Sequence, residues 1–262
     1  MLWMHPLQRT LRWLLRSWLG AALAAALSLP LAAQWKTPWS YAGPDGPSHW
    51  AQLDPAYAAC DGRRQSPVDI RGAVAAAVPA LEFSFHSGPV RIVNNGYTAV
   101  RVDYAPGNGN TLSVGGRHYE LVQFHFHHPS EERIRGQEFA MGLHIMMAAA
   151  DGSVAGVAVM LRPGPANSAI AQLWRHMPPS KGPLQLAPGL QFDPSEVLPK
   201  GRGYFEYAGS QTAPPCTENV TWYVMKATIT ISPEQIAAFA KVYPHDVRPV
   251  QPLNGRVIRS SR

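Results

Sequence analysis

Cysteine occurs only twice in this chain of 262 residues, as Cys60 and Cys216, and neither copy belongs to a Cys-x-x-Cys pair. That pattern excludes a thioredoxin-type redox centre. Blocks of like charge are also missing. The 23 lysines and arginines outnumber the 17 acids but are scattered, with one small group at Arg256, Arg259 and Arg262. With no basic stripe and no reading motif, nucleic-acid binding is excluded as the main activity, and the basic balance is a solubility feature. No internal repeat, long low-complexity linker or apolar run of 18 or more residues appears, so neither a repeat array nor a clear membrane span is indicated. Charge is sparse at 15% while hydrophobic residues reach 46%, which permits a sizeable core and argues against disorder.

Residues 1–33 differ from the rest. Arg9, Arg12 and Arg16 precede an uncharged Ala/Leu-rich run over 18–31, followed by Ala32 and Ala33. A basic start, a short apolar stretch and a small-residue site are the marks of a secretory signal. The apolar stretch is broken by Pro30 and is too short to span a bilayer comfortably. The expectation is a signal peptide at 1–33, a mature domain at 34–262, a periplasmic or secreted location, and no stable membrane span after signal removal. Losing three arginines and no acids lowers the formal net charge from +6 to +3. In an exported chain an even cysteine count suggests a Cys60–Cys216 disulfide, the alternative being two buried free thiols.

The 25 prolines and 22 glycines are spread throughout and punctuate many short segments, as in β-dominated domains. Strands are expected at 81–85, 90–93, 98–104, 119–127, 139–148, 154–161, 204–207 and 220–231, and short helices at 168–177 and 233–242, the second with Ser232 as N-cap and Pro233 at its first position. The predicted fold is one mainly β domain with peripheral helices.

Within this pattern three histidines stand out. His125 and His127 form a His-x-His pair in a predicted strand, and successive strand residues point to opposite faces, so both imidazoles lie on one side. The polar, turn-like stretch 129–137 joins this strand to the next, which carries His144, and the two strands would lie antiparallel with His144 facing the pair. Three histidines with one position open is an arrangement for catalytic zinc, Zn2+. Three neutral ligands leave the ion its full charge, which acidifies a bound water.

Other segments then add up to a resemblance. Gln65-Ser66-Pro67-Val68-Asp69-Ile70, Asn94-Asn95-Gly96, Gln123-Phe124-His125-Phe126-His127, Ser130-Glu131, Gly209-Ser210-x-Thr212-x-Pro214-Pro215-Cys216, Trp222 and Arg248-Pro249-x-Gln251-Pro252-Leu253 follow one another as in the α-class carbonic anhydrases, most of all their exported bacterial members. The likeness covers 39–253. It implies a large, twisted, mostly antiparallel central sheet with a zinc-bearing cleft, and reversible hydration of carbon dioxide to bicarbonate. It also implies that His125, His127 and His144 are the zinc ligands, that Gln123 supports one of them, and that Thr212 with Glu131 orients the zinc hydroxide. Met146, Trp222 and Val157 or a near neighbour are expected to form the apolar wall of the substrate pocket, with Gln211 beside it.

Four positions depart from the family. Tyr97 stands where highly active members carry a proton-shuttling histidine, and a phenol with a pKa near 10 exchanges protons poorly at neutral pH. Gly142 replaces a glutamate that usually holds a zinc histidine, which predicts weaker zinc binding unless water, Glu132 or Glu138 substitutes. Gln211 and Ala213 replace an apolar and a hydroxyl residue of the pocket. These changes motivate an alternative reading, a catalytically weak carbonic-anhydrase-like binding protein of the cell envelope.

Overall fold

The computed structural model describes residues 37–97 and 100–262, and the expected signal at 1–33 lies outside them. Fifteen strands occur among the described residues: β1 (Asp69–Ile70), β2 (Val74–Ala75), β3 (Glu82–Ser84), β4 (Gly88–Val93), β5 (Arg101–Asp103), β6 (Thr111–Val114), β7 (Arg117–His127), β8 (Arg133–Ile134), β9 (Met141–Ala148), β10 (Val154–Pro163), β11 (Gln185–Phe192), β12 (Tyr204–Gly209), β13 (Val220–Met225), β14 (Ile229–Ile231) and β15 (Arg259–Ser260). The helices are short: α1 (Trp50–Leu53), α2 (Ser168–Arg175) and α3 (Pro233–Ala240). None is long and apolar enough to cross a membrane.

Thirteen strands form one sheet, with the path β11-β4-β5-β7-β9-β10-β13-β12-β15-β2. Most neighbours are antiparallel, and β10 runs parallel to β13 and β14. This is the mainly β, large-sheet architecture that the sequence implied. All eight expected strands have counterparts among the described residues, although residues 98 and 99 of the strand expected over 98–104 lie outside them. The stretch predicted as one strand over 220–231 is two, β13 and β14, separated by a bend within residues 226–228. Strand β11 was not expected, because Pro188-Gly189 interrupts it. It survives as an edge strand with a register shift between Leu186 and Gln191, where a missing N–H is tolerated. Ser232 caps α3 as anticipated, its hydroxyl accepting the Gln235 amide while the Gln235 side chain returns to the Ser232 amide.

Apolar side chains pack on both faces of the sheet. One face carries the larger core, including Phe124, Phe126, Leu143, Ile145, Val157 and Val159, closed over by α2 and α3 residues such as Leu173 and Phe239. The other holds a smaller cluster with Met146, Ala158, Tyr207, Trp222 and Val224. Because β9 and β10 are covered on both sides, their sequences are almost continuously apolar and carry little alternation to mark which residues face which way.

A register shift in β7 decides the placement of the histidines. Leu121 pairs with Met147 of β9, but Gln123, two residues on, pairs with Met146, so Val122 is an extra residue. Tyr119 and Leu121 point into the larger core. Strict alternation would send 123, 125 and 127 the same way. The inserted residue reverses them onto the opposite face, the re-aiming that such irregularities perform beside functional sites.

Candidate metal centre

Strands β7 and β9 bring the three histidines together. His125 lies directly opposite His144 in the antiparallel register, and the ring centroids are 4.9 Å (His125–His127), 5.4 Å (His125–His144) and 4.7 Å (His127–His144) apart. One nitrogen of each ring can be chosen so that all three lie within 4.8 Å of one another.

The second nitrogen of each ring is held by the protein. His125 Nδ1 contacts Gln123 Oε1 at 2.8 Å. His127 Nδ1 contacts the Asp246 carbonyl at 2.7 Å. His144 Nε2 meets both oxygens of Glu132, at 3.0 and 3.1 Å. All three partners are acceptors, so each imidazole presents its N–H to the protein and leaves a lone pair on His125 Nε2, His127 Nε2 and His144 Nδ1. Two of those nitrogens, His127 Nε2 and His144 Nδ1, are buried and have no hydrogen bond within the protein. A buried polar atom of this kind is costly without a partner, and a cation bound to one nitrogen of each ring would supply one.

Electrostatics agree with that fit. Burial, reinforced by the neighbouring histidines, pushes His125 and His127 well below the ordinary imidazole range and keeps them neutral, as ligands must be. Burial would lower His144 too, but the charge and hydrogen bond of Glu132, together with the charge of Glu131, outweigh it and raise it. Burial lifts Glu131 to about 7, while His144, the Arg248 amide and the Thr212 hydroxyl favour its charged form. A bound cation would favour that form further.

Glu131 has little freedom. Its Oε1 accepts the Arg248 amide at 2.7 Å, and Oε2 lies 3.5 Å from His127 Nε2 and 3.7 Å from His144 Nδ1. Thr212, whose hydroxyl favours the charged form of that carboxylate, stands on a loop tied down by the Cys60–Cys216 disulfide and by the Gln65 amide, which donates to the Cys216 carbonyl at 3.2 Å. The Arg248 guanidinium is buried among the Cys60 and Ser66 carbonyls and Gln65 Oε1.

Met146 and Trp222 lie on the histidine face, and the Trp222 ring is 4.6 Å from that of His144. Val157 does not join them. It pairs with Ile145 and belongs to the core on the far side of the sheet, while its neighbour Ala158 pairs with His144. Gln211 is half-buried, its amide donating to the Thr217 carbonyl. Tyr97 is stacked on Trp39 with ring centroids 4.0 Å apart, and the Lys181 ammonium stands 5.6 Å from its other side.

Three residues around the histidines were outside the expected set. Glu132 had been named only as one conceivable substitute for the glutamate missing at 142. Asp246 acts through its backbone carbonyl, which any residue type could supply, so its sequence carries no signal. Arg248 was visible as part of a motif, but its contact with Glu131 was not.

Comparison with known proteins agrees with this geometry. The family model for eukaryotic-type carbonic anhydrase matches residues 45–262. A carbonic anhydrase of Nostoc sp. is 37% identical over 246 residues, covering 92% of each chain. One from Neisseria gonorrhoeae is 40% identical over 224 residues, 85% of this chain and 87% of that protein. Among solved structures, the α-carbonic anhydrase of Thermovibrio ammonificans, in complex with the inhibitor sulfanilamide, superposes with a TM-score of 0.81 at 36% identity, covering 86% of this chain and 99% of that one. The chain is a member of the α-carbonic anhydrase family.

Proposed function

We propose that the chain holds one zinc ion on His125, His127 and His144 and catalyses the reversible hydration of carbon dioxide to bicarbonate and a proton. The observation that carries this is the pairing pattern of the three imidazoles, each tied to an acceptor at one nitrogen and converging with the others at the second. When bound, zinc supplies a Lewis acid that lets water lose a proton near neutral pH, an effect for which carbonic anhydrases are themselves the standard example.

The protein's own groups do the rest. Thr212, with its proton given to Glu131, can only accept from the attacking water, and so fixes the direction of that water's lone pair. Met146 and Trp222 form the apolar wall toward which that lone pair is aimed, where an uncharged substrate displaces water at little cost. Gln123, Glu132 and the Asp246 carbonyl hold the ligand rings in one tautomer and orientation. Proton exit is the weak step, because Tyr97 occupies the shuttle position and its ring is clamped between Trp39 and Lys181. Turnover should therefore depend on buffer.

The chain is also proposed to act outside the cytosol. The Cys60–Cys216 disulfide supports an oxidising compartment, in agreement with the signal-like start of the sequence.

Substitution of the orienting hydroxyl tests the mechanism. Thr212→Ala is expected to lower carbon dioxide hydration about 100-fold or more while zinc content stays near one per chain. An undiminished rate would remove Thr212 from the mechanism, and full zinc occupancy in a wild-type protein without turnover would favour the binding-protein reading.

A further inference from the structure

A cluster of charge stands beside the histidines on the same face of the sheet. Val90 and Ile92 of β4 and Val102 of β5 enter the larger core, so strand alternation turns Arg91, Arg101 and Asp103 to the opposite face, the one His125 occupies. The register sets Arg101 directly beside His125, and Asp103 between Gln123 of β7 and Arg91 of β4. His125 is the one ligand histidine that is only half-buried, so solvent reaches the centre beside Arg101. The strand order puts Trp222, on β13, on the other flank.

This wall is not neutral. Asp103 accepts from Arg101 Nε and Nη2, both at 2.7 Å, a two-point pairing that fixes the guanidinium plane. Two of the five N–H groups are thereby used, and the other three have no hydrogen-bond partner among the described residues. Arg91 is less compensated still: among the described residues its guanidinium makes one long bond, 3.4 Å, to the Tyr104 carbonyl, and no ion pair. Two guanidiniums thus share one carboxylate, and the wall carries an excess of positive charge. The Arg101 and Asp103 side chains are only 21% and 13% exposed, so an anion placed against them is screened less than at an open surface. The end of the braced guanidinium, Nη1 with Nη2, presents paired donors of the kind that suits a planar oxyanion.

We infer that Arg101 and Arg91 form an oxyanion subsite beside the metal centre that holds bicarbonate as it enters or leaves, with Asp103 positioning Arg101. Naming bicarbonate rests on the carbon dioxide reading, whereas the anion site itself does not.

The test uses the zinc-loaded mature protein. In two-dimensional nitrogen–proton NMR spectra the Nε–H signals of Arg91 and Arg101 should shift saturably as sodium bicarbonate replaces sodium chloride at constant ionic strength. In stopped-flow dehydration, Arg101→Gln is expected to raise KM for bicarbonate about 10-fold, with kcat and zinc content nearly unchanged. Arg101→Lys keeps the charge but not the fork and should fall between that variant and the wild type. Saturation in a wild type that turns nothing over would support the subsite and remove the carbon dioxide reading, so the two failures are distinguishable. Signals that do not saturate, or an unmoved KM in an active Arg101→Gln protein, would overturn the inference. So would a fall in kcat or zinc content that Arg101→Lys does not recover, which is what a merely structural ion pair predicts. If Arg101→Gln does not fold, Arg91→Gln replaces it: a raised KM there supports the site, and an unmoved one contradicts it.

Discussion

Glu132 and Gly142 form a compensating pair. Gly142 pairs with His127 in the register of β7 and β9, and a Cβ there would come within 3.3 Å of Ser130 Cα and 3.4 Å of its Cβ. The bare position lets the 130–132 segment lie close against β9, and that segment delivers the fully buried Glu132 to His144 Nε2. The weak zinc affinity expected from Gly142 is therefore not supported by the geometry. Glu132→Ala is expected to speed zinc loss about 10- to 100-fold in chelator competition. Glu138→Ala should leave it unchanged, because that carboxylate is exposed and pairs with Arg133 at 2.8 Å. Equal rates in both variants and the wild type would contradict the assignment. The convergence of the three histidines and the contact of Gln123 with His125 were legible because each residue sits in a short local motif. Glu132 was not, since its role depends on how one segment packs against a glycine elsewhere in the chain.

Among the elements, β7 shows what a sequence pattern conceals. The His-x-His pair correctly implied two imidazoles on one face, but which face depends on the extra residue Val122. Val157 was misplaced for a related reason. In a strand buried on both sides nothing local distinguishes 157 from 156 or 158, and only the pairing of Ala158 with His144 settles it. The loop bearing Thr212 depends on a longer-range tie, the disulfide joining residues 156 apart in sequence. Replacing both cysteines by serine is expected to cost about 4 to 5 kcal/mol on the chain-entropy model, seen as a lower urea midpoint with a steeper slope, because the unfolded chain freed of the cross-link exposes more surface. An unmoved midpoint would show that hydrogen bonds such as Gln65 to Cys216 hold the loop unaided.

The whole molecule places its chemistry at the middle of a 13-stranded sheet, on β7 and β9, with neighbouring strands on both sides. Most of that sheet was anticipated from short apolar segments bounded by glycine and proline. The parts that were not, such as β11 and the two-residue strands, are edge or peripheral pieces defined by pairing partners rather than by their own composition. A rigid sheet preorganises the ligands before any ion arrives, so metal removal should abolish activity without unfolding the protein. Stopped-flow carbon dioxide hydration tests this most directly, on signal-free protein as purified, after zinc is stripped, and after one equivalent is returned, with zinc content assayed on each sample. Turnover that disappears with the metal and returns with it is the expected result; a rate independent of zinc, or its absence at full occupancy, would contradict the account.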